Sequence, residues 1–408
     1  MLKTYKYRLY PRPAQEKNLF KILACARNFY NMCLSERKWA WELEQRNVSR
    51  IDQQHQIKHY KATFPQAKQV HTHVLLVVTH DIQKAFDAFF RRVQSGEKAG
   101  YPRYKGRTWF NSFGFAEHGN GFRLDGNRLK VFGAGRIPVR MHRAIPDNGT
   151  IKTCRIKYQA GQWFVSFSVE VPDTSELPKT GRFIGLDMGI SALITTSEGE
   201  KVENPNYYRA GQARLRILSR ALARKKRGGK NRRKALKQVQ RQHLHVSNQR
   251  SDYLHKLSTA LVQTCDGIAL EDLATRNMVR NPHLSKSILD SGWGIFKQYL
   301  TYKAASAGRE IRFVDPAYTS QTCPQCGKVE KIGLSVRWLD CECGLSIDRD
   351  HRAAINILIK AGWDTPLQPN VGDYAVRVVE AAGLLTMRSV TFVDISYQSC
   401  NSLFRHNA

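Results

Sequence analysis

Two closely spaced cysteine pairs constrain this chain more than any other feature. From Thr319 to Leu358 it reads TSQTCPQCGKVEKIGLSVRWLDCECGLSIDRDHRAAINIL, with Cys323 and Cys326 in one turn and, fourteen intervening residues on, Cys341 and Cys343 in another. Each pair is followed by glycine, which suits the tight turn of a thiolate knuckle. Four thiolates in two such turns can close a tetrahedral Zn²⁺ site with no open position, so the ion is expected to be structural. Binding there would contribute on the order of 10 kcal/mol to local folding. The Cys-x-Cys half is tighter than the usual Cys-x-x-Cys. The remaining cysteines, Cys25, Cys33, Cys154, Cys265 and Cys400, are scattered. They read as reduced core thiols, so the chain suits a reducing cytoplasm and not a disulfide framework.

The charge balance names a class of partner. Lys and Arg number 65 against 34 Asp and Glu, a formal charge of +31 over 408 residues. So large a charge repels itself unless a polyanion shares the surface, which points to nucleic acid. It is also concentrated: ten of the eighteen residues from Arg224 to Arg241 are basic and none is acidic. A solvated helix face normally interleaves both signs, so this segment reads as a phosphate-facing helical hairpin broken at Gly228-Gly229, with Arg224, Lys225, Lys226, Arg227, Lys230, Arg232 and Arg233 as its contacts. A second candidate is the loop Tyr101-Pro102-Arg103-Tyr104-Lys105. Its Tyr101 and Tyr104 can stack on bases while Arg103 and Lys105 meet phosphates; the alternative is a basic turn with a tyrosine packed on proline. No apolar run approaches the length of a membrane span, and MLKTYKYRLY has no signal core, so neither membrane nor secretion is expected.

Read in order, the chain changes periodicity several times. Residues 2–10 alternate as a strand. Pro13 then opens a helix whose apolar residues Leu19, Ile22, Leu23, Ala26, Phe29, Tyr30, Cys33 and Leu34 fall at helical spacing, with helical character continuing through Trp41. A polar, glutamine-rich interval (47–60) separates this from another helix at 74–90. His71, His73 and His80 have no matched carboxylate and are not read as a metal site. From 109 to 171 the period is two, with hairpin turns at Asp125-Gly126-Asn127 and Gly161, as in a small β-barrel. The linker 175–181 leads into the apolar strand Phe183–Asp187. A hairpin, the long helical region 208–262, a strand ending at Glu271, a helix near 293–305 and a strand at 309–314 follow. The tail beyond 362 is poorly patterned, with weak alternation at 389–397, and reads as partly disordered.

Three acids stand at the ends of apolar strands or at a helix start: Asp187, Glu271 and Asp350. Strand-end carboxylates from different elements are what a two-metal phosphodiesterase needs, since hard oxygen ligands hold two Mg²⁺ ions about 3.5–4 Å apart. Without ions they would raise one another's pKa. Asp348 and Asp272 are weaker candidates for the same ions.

Together these motifs resemble the TnpB family, RNA-guided nucleases encoded by insertion sequences and related to type V CRISPR effectors. The resemblance rests on Tyr7-Arg8-Leu9-Tyr10-Pro11, Arg27-Asn28-Phe29-Tyr30-Asn31, Gly100-Tyr101-Pro102-Arg103-Tyr104, Gly185-Leu186-Asp187-Met188-Gly189, Glu271-Asp272-Leu273, the cysteine pairs, and Asp348-Arg349-Asp350 with Ala353-Ala354-Ile355-Asn356-Ile357. It implies a multidomain α+β fold: a first wedge strand (1–10), a helical recognition domain (11–108), a wedge-type β-barrel (109–178), and a RuvC-like RNase H fold (179–318 and 347–362) interrupted by a zinc ribbon (319–346), before the tail 363–408. It also implies catalysis by Asp187, Glu271 and Asp350 with two Mg²⁺, and zinc held by Cys323, Cys326, Cys341 and Cys343. The implied partners are a guide RNA from the transposon end and double-stranded target DNA carrying a short adjacent motif, in a bacterial or archaeal cytoplasm close to the nucleoid. Arg352 departs from the family, which usually has Asn there; it could touch a phosphate or disturb the helix start. Two rival readings are an RNA-guided repressor, normally marked by loss of triad acids, and a transposase, which would yield joined products.

Overall fold

The computed structural model describes residues 1–172, 176–333 and 336–363. The tail, including the weak alternation at 389–397, lies outside them apart from Trp363. The chain divides into two compact units, Met1–Asp173 with Leu236–Arg241, and Thr174–Ala235 with Gln242–Ala408.

The first unit begins with strand β1 (Leu2–Leu9), followed by helices α1 (Pro13–Glu44), α2 (Arg50–Thr63) and α3 (Thr72–Gln94). Pro13 sits in the first turn of α1, where its missing N–H costs nothing, and the apolar residues picked out by their spacing are buried on one face. The glutamine-rich interval is itself largely helix α2. Its start is a capping box: Ser49 Oγ accepts from Asp52 N, and the Asp52 carboxylate accepts from Ser49 N. Polarity hid this helix because its inward face uses a glutamine. Gln53 is fully buried, accepting from Arg37 Nε at 3.1 Å and donating to Cys33 O at 2.8 Å. His71 caps α3 by accepting from His73 N.

Six further strands complete this unit: β2 (Ser112–Phe115), β3 (Phe122–Asp125), β4 (Arg128–Val131), β5 (Gly135–Arg140), β6 (Thr150–Gln159) and β7 (Gln162–Glu170). Their order is β2-β6-β7-β1-β5-β4-β3, antiparallel throughout, which places β1 in the middle. The expected barrel does not close. With β2 and β3 left as edges the sheet is a half-barrel, its inward residues Tyr5, Tyr7, Phe122, Val165 and Phe167 sharing one core with α1 and α3.

The second unit is built on a five-stranded sheet. Strands β8 (Phe183–Asp187), β9 (Ala192–Thr196) and β10 (Lys201–Glu203) form an antiparallel meander; then come α4 (Tyr207–Ala223), α5 (Lys230–Thr264), β11 (Gly267–Glu271), α6 (Thr275–Met278), α7 (Ser285–Ser291), α8 (Trp293–Ala307) and β12 (Glu310–Val314). The order is β10-β9-β8-β11-β12, with β8, β11 and β12 mutually parallel. Buried Leu254, Leu257 and Leu261 of α5 and Phe296 and Leu300 of α8 share a core with Ile184, Leu186, Ile268 and Leu270 of the sheet. The chain ends its described course with the hairpin β13 (Trp338–Asp340) and β14 (Ser346–Asp348) and helix α9 (Arg349–Lys360). One buried ion pair holds the strand starts in line. The Asp266 carboxylate accepts from Thr180 N and Gly181 N, just before β8, and from Arg309, just before β12. Burying both charges is tolerable because the remaining lone pairs are satisfied.

Candidate metal centres

The acid cluster follows from strand direction. Because β8 and β11 are parallel neighbours with Leu186 opposite Leu270, Asp187 and Glu271 end adjacent strands on the same side, about 4.8 Å apart in backbone spacing. Helix α9 brings in the third acid, and Gly185 decides how closely it can lie. A Cβ at position 185 would stand 2.1 Å from Ala354 O and 2.9 Å from Leu358 N, so α9 rests directly on the backbone of β8. Asp350 is in the first turn of that helix. The turn is fixed at both sides: Asp348 accepts from the backbone N–H groups of Asp350 and His351 and pairs with Lys201 at 2.8 Å, while His351 Nε2 lies 3.1 Å from Ser197 O. Asp348 is thus spent as a helix cap. Asp272 faces outward, 77% exposed, near Lys297.

Electrostatics tie the three acids together. Burial, then the negative charges of Glu271 and Asp350, push the Asp187 carboxyl up to about 8, with Arg349 opposing. Burial also raises Glu271, against the Thr319 hydroxyl and the charges of Lys360 and Lys297. Glu271 is buried, whereas Asp187 and Asp350 keep partial access to solvent. Their oxygens are not all mutually within 4.8 Å. A pair of ions needs no such compactness, because it is itself about 3.5–4 Å across and each ion takes its own subset of oxygens. A hard-oxygen donor set whose members resist ionisation together fits Mg²⁺, which removes the repulsion.

Sequence reasoning missed the group that orients Glu271. Thr319 Oγ1 donates to Glu271 Oε1 and lies 3.1 Å from Pro316 O. Its only signal was a hydroxyl residue shortly before the first cysteine. Arg352 does neither thing expected of it. It is 1% exposed, donates from Nε to Thr322 O at 2.7 Å and from Nη2 to Gln321 O at 2.9 Å, and the helix start beside it is intact.

The second centre lies just beyond this turn. The four sulfurs of Cys323, Cys326, Cys341 and Cys343 all lie within 4.8 Å of one another, the one such group of potential metal ligands among the described residues. Cys323 and Cys343 are 3.7 Å apart at sulfur, and Cys326 and Cys341 3.6 Å. A tetrahedral ion with 2.3 Å bonds separates its sulfurs by about 3.8 Å, so the set fits zinc, and all four cysteines are free of disulfides. Gly327 N returns to Cys323 O and Gly344 N to Cys341 O, with φ of 76° and 89°, which explains a glycine after each pair.

Comparison with known proteins gives the family. The chain is 36% identical over 364 residues to a Streptomyces pristinaespiralis protein named "Putative RNA-guided DNA endonuclease", covering 87% of this chain and 88% of that one. The chain belongs to the TnpB/OrfB family of IS605-type elements. A second relative, "Putative RNA-guided DNA endonuclease InsQ" of Escherichia coli (strain K12), is 28% identical over 376 residues, covering 88% and 92% of the two chains. The family model described as "Probable transposase" matches residues 166–282, which include Asp187 and Glu271; the "Cas12f1-like, TNB domain" matches 293–357, with the cysteines and Asp350. A "Helix-turn-helix domain" model matches residues 1–46, where this TnpB-family chain has one strand and one continuous helix. In fold it resembles the solved Cas12f1–sgRNA–target DNA complex, with a TM-score of 0.57 at 13% identity, covering 88% of this chain and 98% of that one.

The basic segments of this TnpB-family chain divide into free and engaged side chains. Arg224, Lys225, Lys226, Arg227 and Lys230 are exposed around the turn between α4 and α5. Arg232 and Arg233 instead brace that turn, donating to Leu222 O and Gly228 O. In the other loop, Asn31 pins Lys105 through both its backbone N–H and its carbonyl. Tyr101 packs edge-on against Phe86 and Phe89, Tyr104 Oη accepts from Ser35 Oγ, and Arg103 is exposed. Both tyrosines keep substantial exposure, 42% and 50%. No helix among the described residues is long and apolar enough to cross a membrane.

Proposed function

We propose that this chain is an RNA-guided DNA endonuclease that binds an RNA from its own element's end, recognises a short motif beside the target, and hydrolyses both DNA strands. One observation carries the reading: Asp187, Glu271 and Asp350 converge from two parallel strands and a helix, and the charges of the other two raise the Asp187 carboxyl. The sheet order, an antiparallel meander flanked by two parallel strands, supports a RuvC-like RNase H assignment for 179–318 and 347–362, with 319–346 as the inserted ribbon. Residues 11–108 would be the recognition helices, and 1–10 with 109–178 the wedge sheet.

Two Mg²⁺ ions, when bound, supply a polarised water and positive charge at the departing 3′ oxygen. Asp187, Glu271 and Asp350 would hold these ions through their carboxylate oxygens, Asp187 being the one on which both other acids act. Thr319 holds Glu271 in one rotamer, so that its free oxygen is presented rather than folded away. Cys323, Cys326, Cys341 and Cys343 would hold zinc with no ligand position left for substrate. The exposed cations at 224–230 and the loop 101–105 would take phosphate contacts with RNA or DNA.

The test combines the protein, expressed with its flanking locus, with a plasmid library randomised beside the target in Mg²⁺. Depletion of members sharing one motif, abolished by Asp187→Ala, is the expected result. Retention of motif-bearing DNA without cutting would make the chain a repressor, and joined products would make it a transposase.

A further inference from the structure

Helix α9 carries more than Asp350. Arg352 and Asn356, one turn apart on the same face, reach the same four-residue stretch, 319–322. Asn356 Nδ2 donates to Thr319 O at 2.7 Å and to Thr322 O at 2.6 Å, while Arg352 supplies a second donor to Thr322 O and one to Gln321 O. The Thr322 carbonyl therefore has both lone pairs engaged. Both side chains are buried, Arg352 at 1% and Asn356 at 4% exposure, and no acidic side chain among the described residues pairs with Arg352. A buried guanidinium is costly unless its donors find acceptors, and here two backbone carbonyls accept from Nε and Nη2. At one end of the gripped stretch Thr319 holds Glu271; at the other stands Cys323, first of the four thiolates.

We propose that Arg352 and Asn356 are positioning residues that lock this turn, so that one hydrogen-bonded unit sets Glu271 relative to Asp350 and ties the cysteine centre to the acid cluster. The proposal rests on the nuclease reading for its consequence in catalysis, but not for its geometry. Without the grip, the turn that orients Glu271 through Thr319 is no longer tied to the helix that carries Asp350 or to the first cysteine, and both metal sites lose definition.

The test uses the full chain with its guide RNA and four variants, Arg352→Lys, Asn356→Leu, Thr319→Val and Thr319→Ser. Manganese binding to the acid cluster is followed by calorimetry and by its paramagnetic signal, and zinc loss by capture with a coloured chelator. Lysine keeps the charge but not the fork that meets two carbonyls. Arg352→Lys and Asn356→Leu are expected to weaken manganese binding roughly tenfold and to speed zinc loss. Thr319→Val weakens manganese binding alone, and Thr319→Ser restores it. Guide RNA affinity stays at the parental value in all four. Parental manganese affinity and zinc-loss rate in Arg352→Lys and Asn356→Leu would overturn the coupling. Weaker RNA binding in proportion to weaker metal binding would also overturn it, as general destabilisation. If the parent cuts no DNA the nuclease reading fails, yet these two metal readouts still decide the brace.

Discussion

Asp187 occupies a position where a carboxylate is poorly tolerated without a cation. Its folded carboxyl keeps the proton up to about pH 8, because of burial and two neighbouring acids, while an unfolded aspartate loses it near pH 4. Below about pH 4 the group therefore costs the metal-free fold nothing. As pH rises towards 8 the unfolded state gains more from ionisation than the folded state does, and stability falls. Asp187→Asn removes that penalty. In thermal melts of metal-free protein the variant should melt above the parent by a margin that widens from pH 4 to pH 8; equal melting temperatures across that range would contradict the site's electrostatics. Added Mg²⁺ should raise the parent's melting temperature and leave the variant's nearly unchanged.

Among the elements, the contact of α9 with β8 is the least forgiving. Gly185→Ala places a methyl group against the carbonyl of Ala354, and neither backbone can yield cheaply. Destabilisation of about 3 kcal/mol in denaturant unfolding, with loss of cleavage, is expected; a cost below about 1 kcal/mol would mean that α9 does not rest there. This element was partly legible in advance. Short apolar strands that stop on an acid stand out in any reading, and so do cysteines followed by glycine. The glycine two residues before Asp187 carries no such mark, because its requirement comes from a helix more than a hundred residues away in sequence. Helix α2 was hidden for a related reason, since buried Gln53 looks polar until Arg37 is seen beside it. Arg352 reads as a phosphate contact or a disturbed helix start until the carbonyls of Gln321 and Thr322 are seen beside it, and Thr319 carries no mark at all.

For the molecule as a whole, charge is the dominant quantity. The +31 excess makes nucleic-acid affinity fall steeply with salt, since each neutralised phosphate releases counterions. Replacing Lys225, Lys226 and Arg227 by alanine should lower the magnitude of the log-affinity against log-salt slope for guide RNA by about 2, at roughly 0.7 per lost contact. An unchanged slope would remove this turn from the RNA-binding surface. The overall topology was less legible than the charge. An alternating stretch announces strands, but whether their sheet closes depends on pairings between distant segments, and here β2 and β3 remain edges.

The central place of β1 also has a bearing on how the protein is made. Leu2 pairs with Glu170 and Leu9 with Trp163, and β5 flanks the other side. A ribosome releases β1 long before β5 and β7, so the middle of the sheet waits without either neighbour through synthesis of three helices and three strands, and for its longer pairing until β7 emerges. Loop closure over that distance is slow, and exposed strand edges invite wrong partners meanwhile. The helices α1 to α3, which form from local contacts, supply an apolar surface on which Tyr5, Tyr7 and Leu9 can rest until the last strand arrives. The order of synthesis thus gives the helices a second duty, as a temporary shelter for the strand that precedes them.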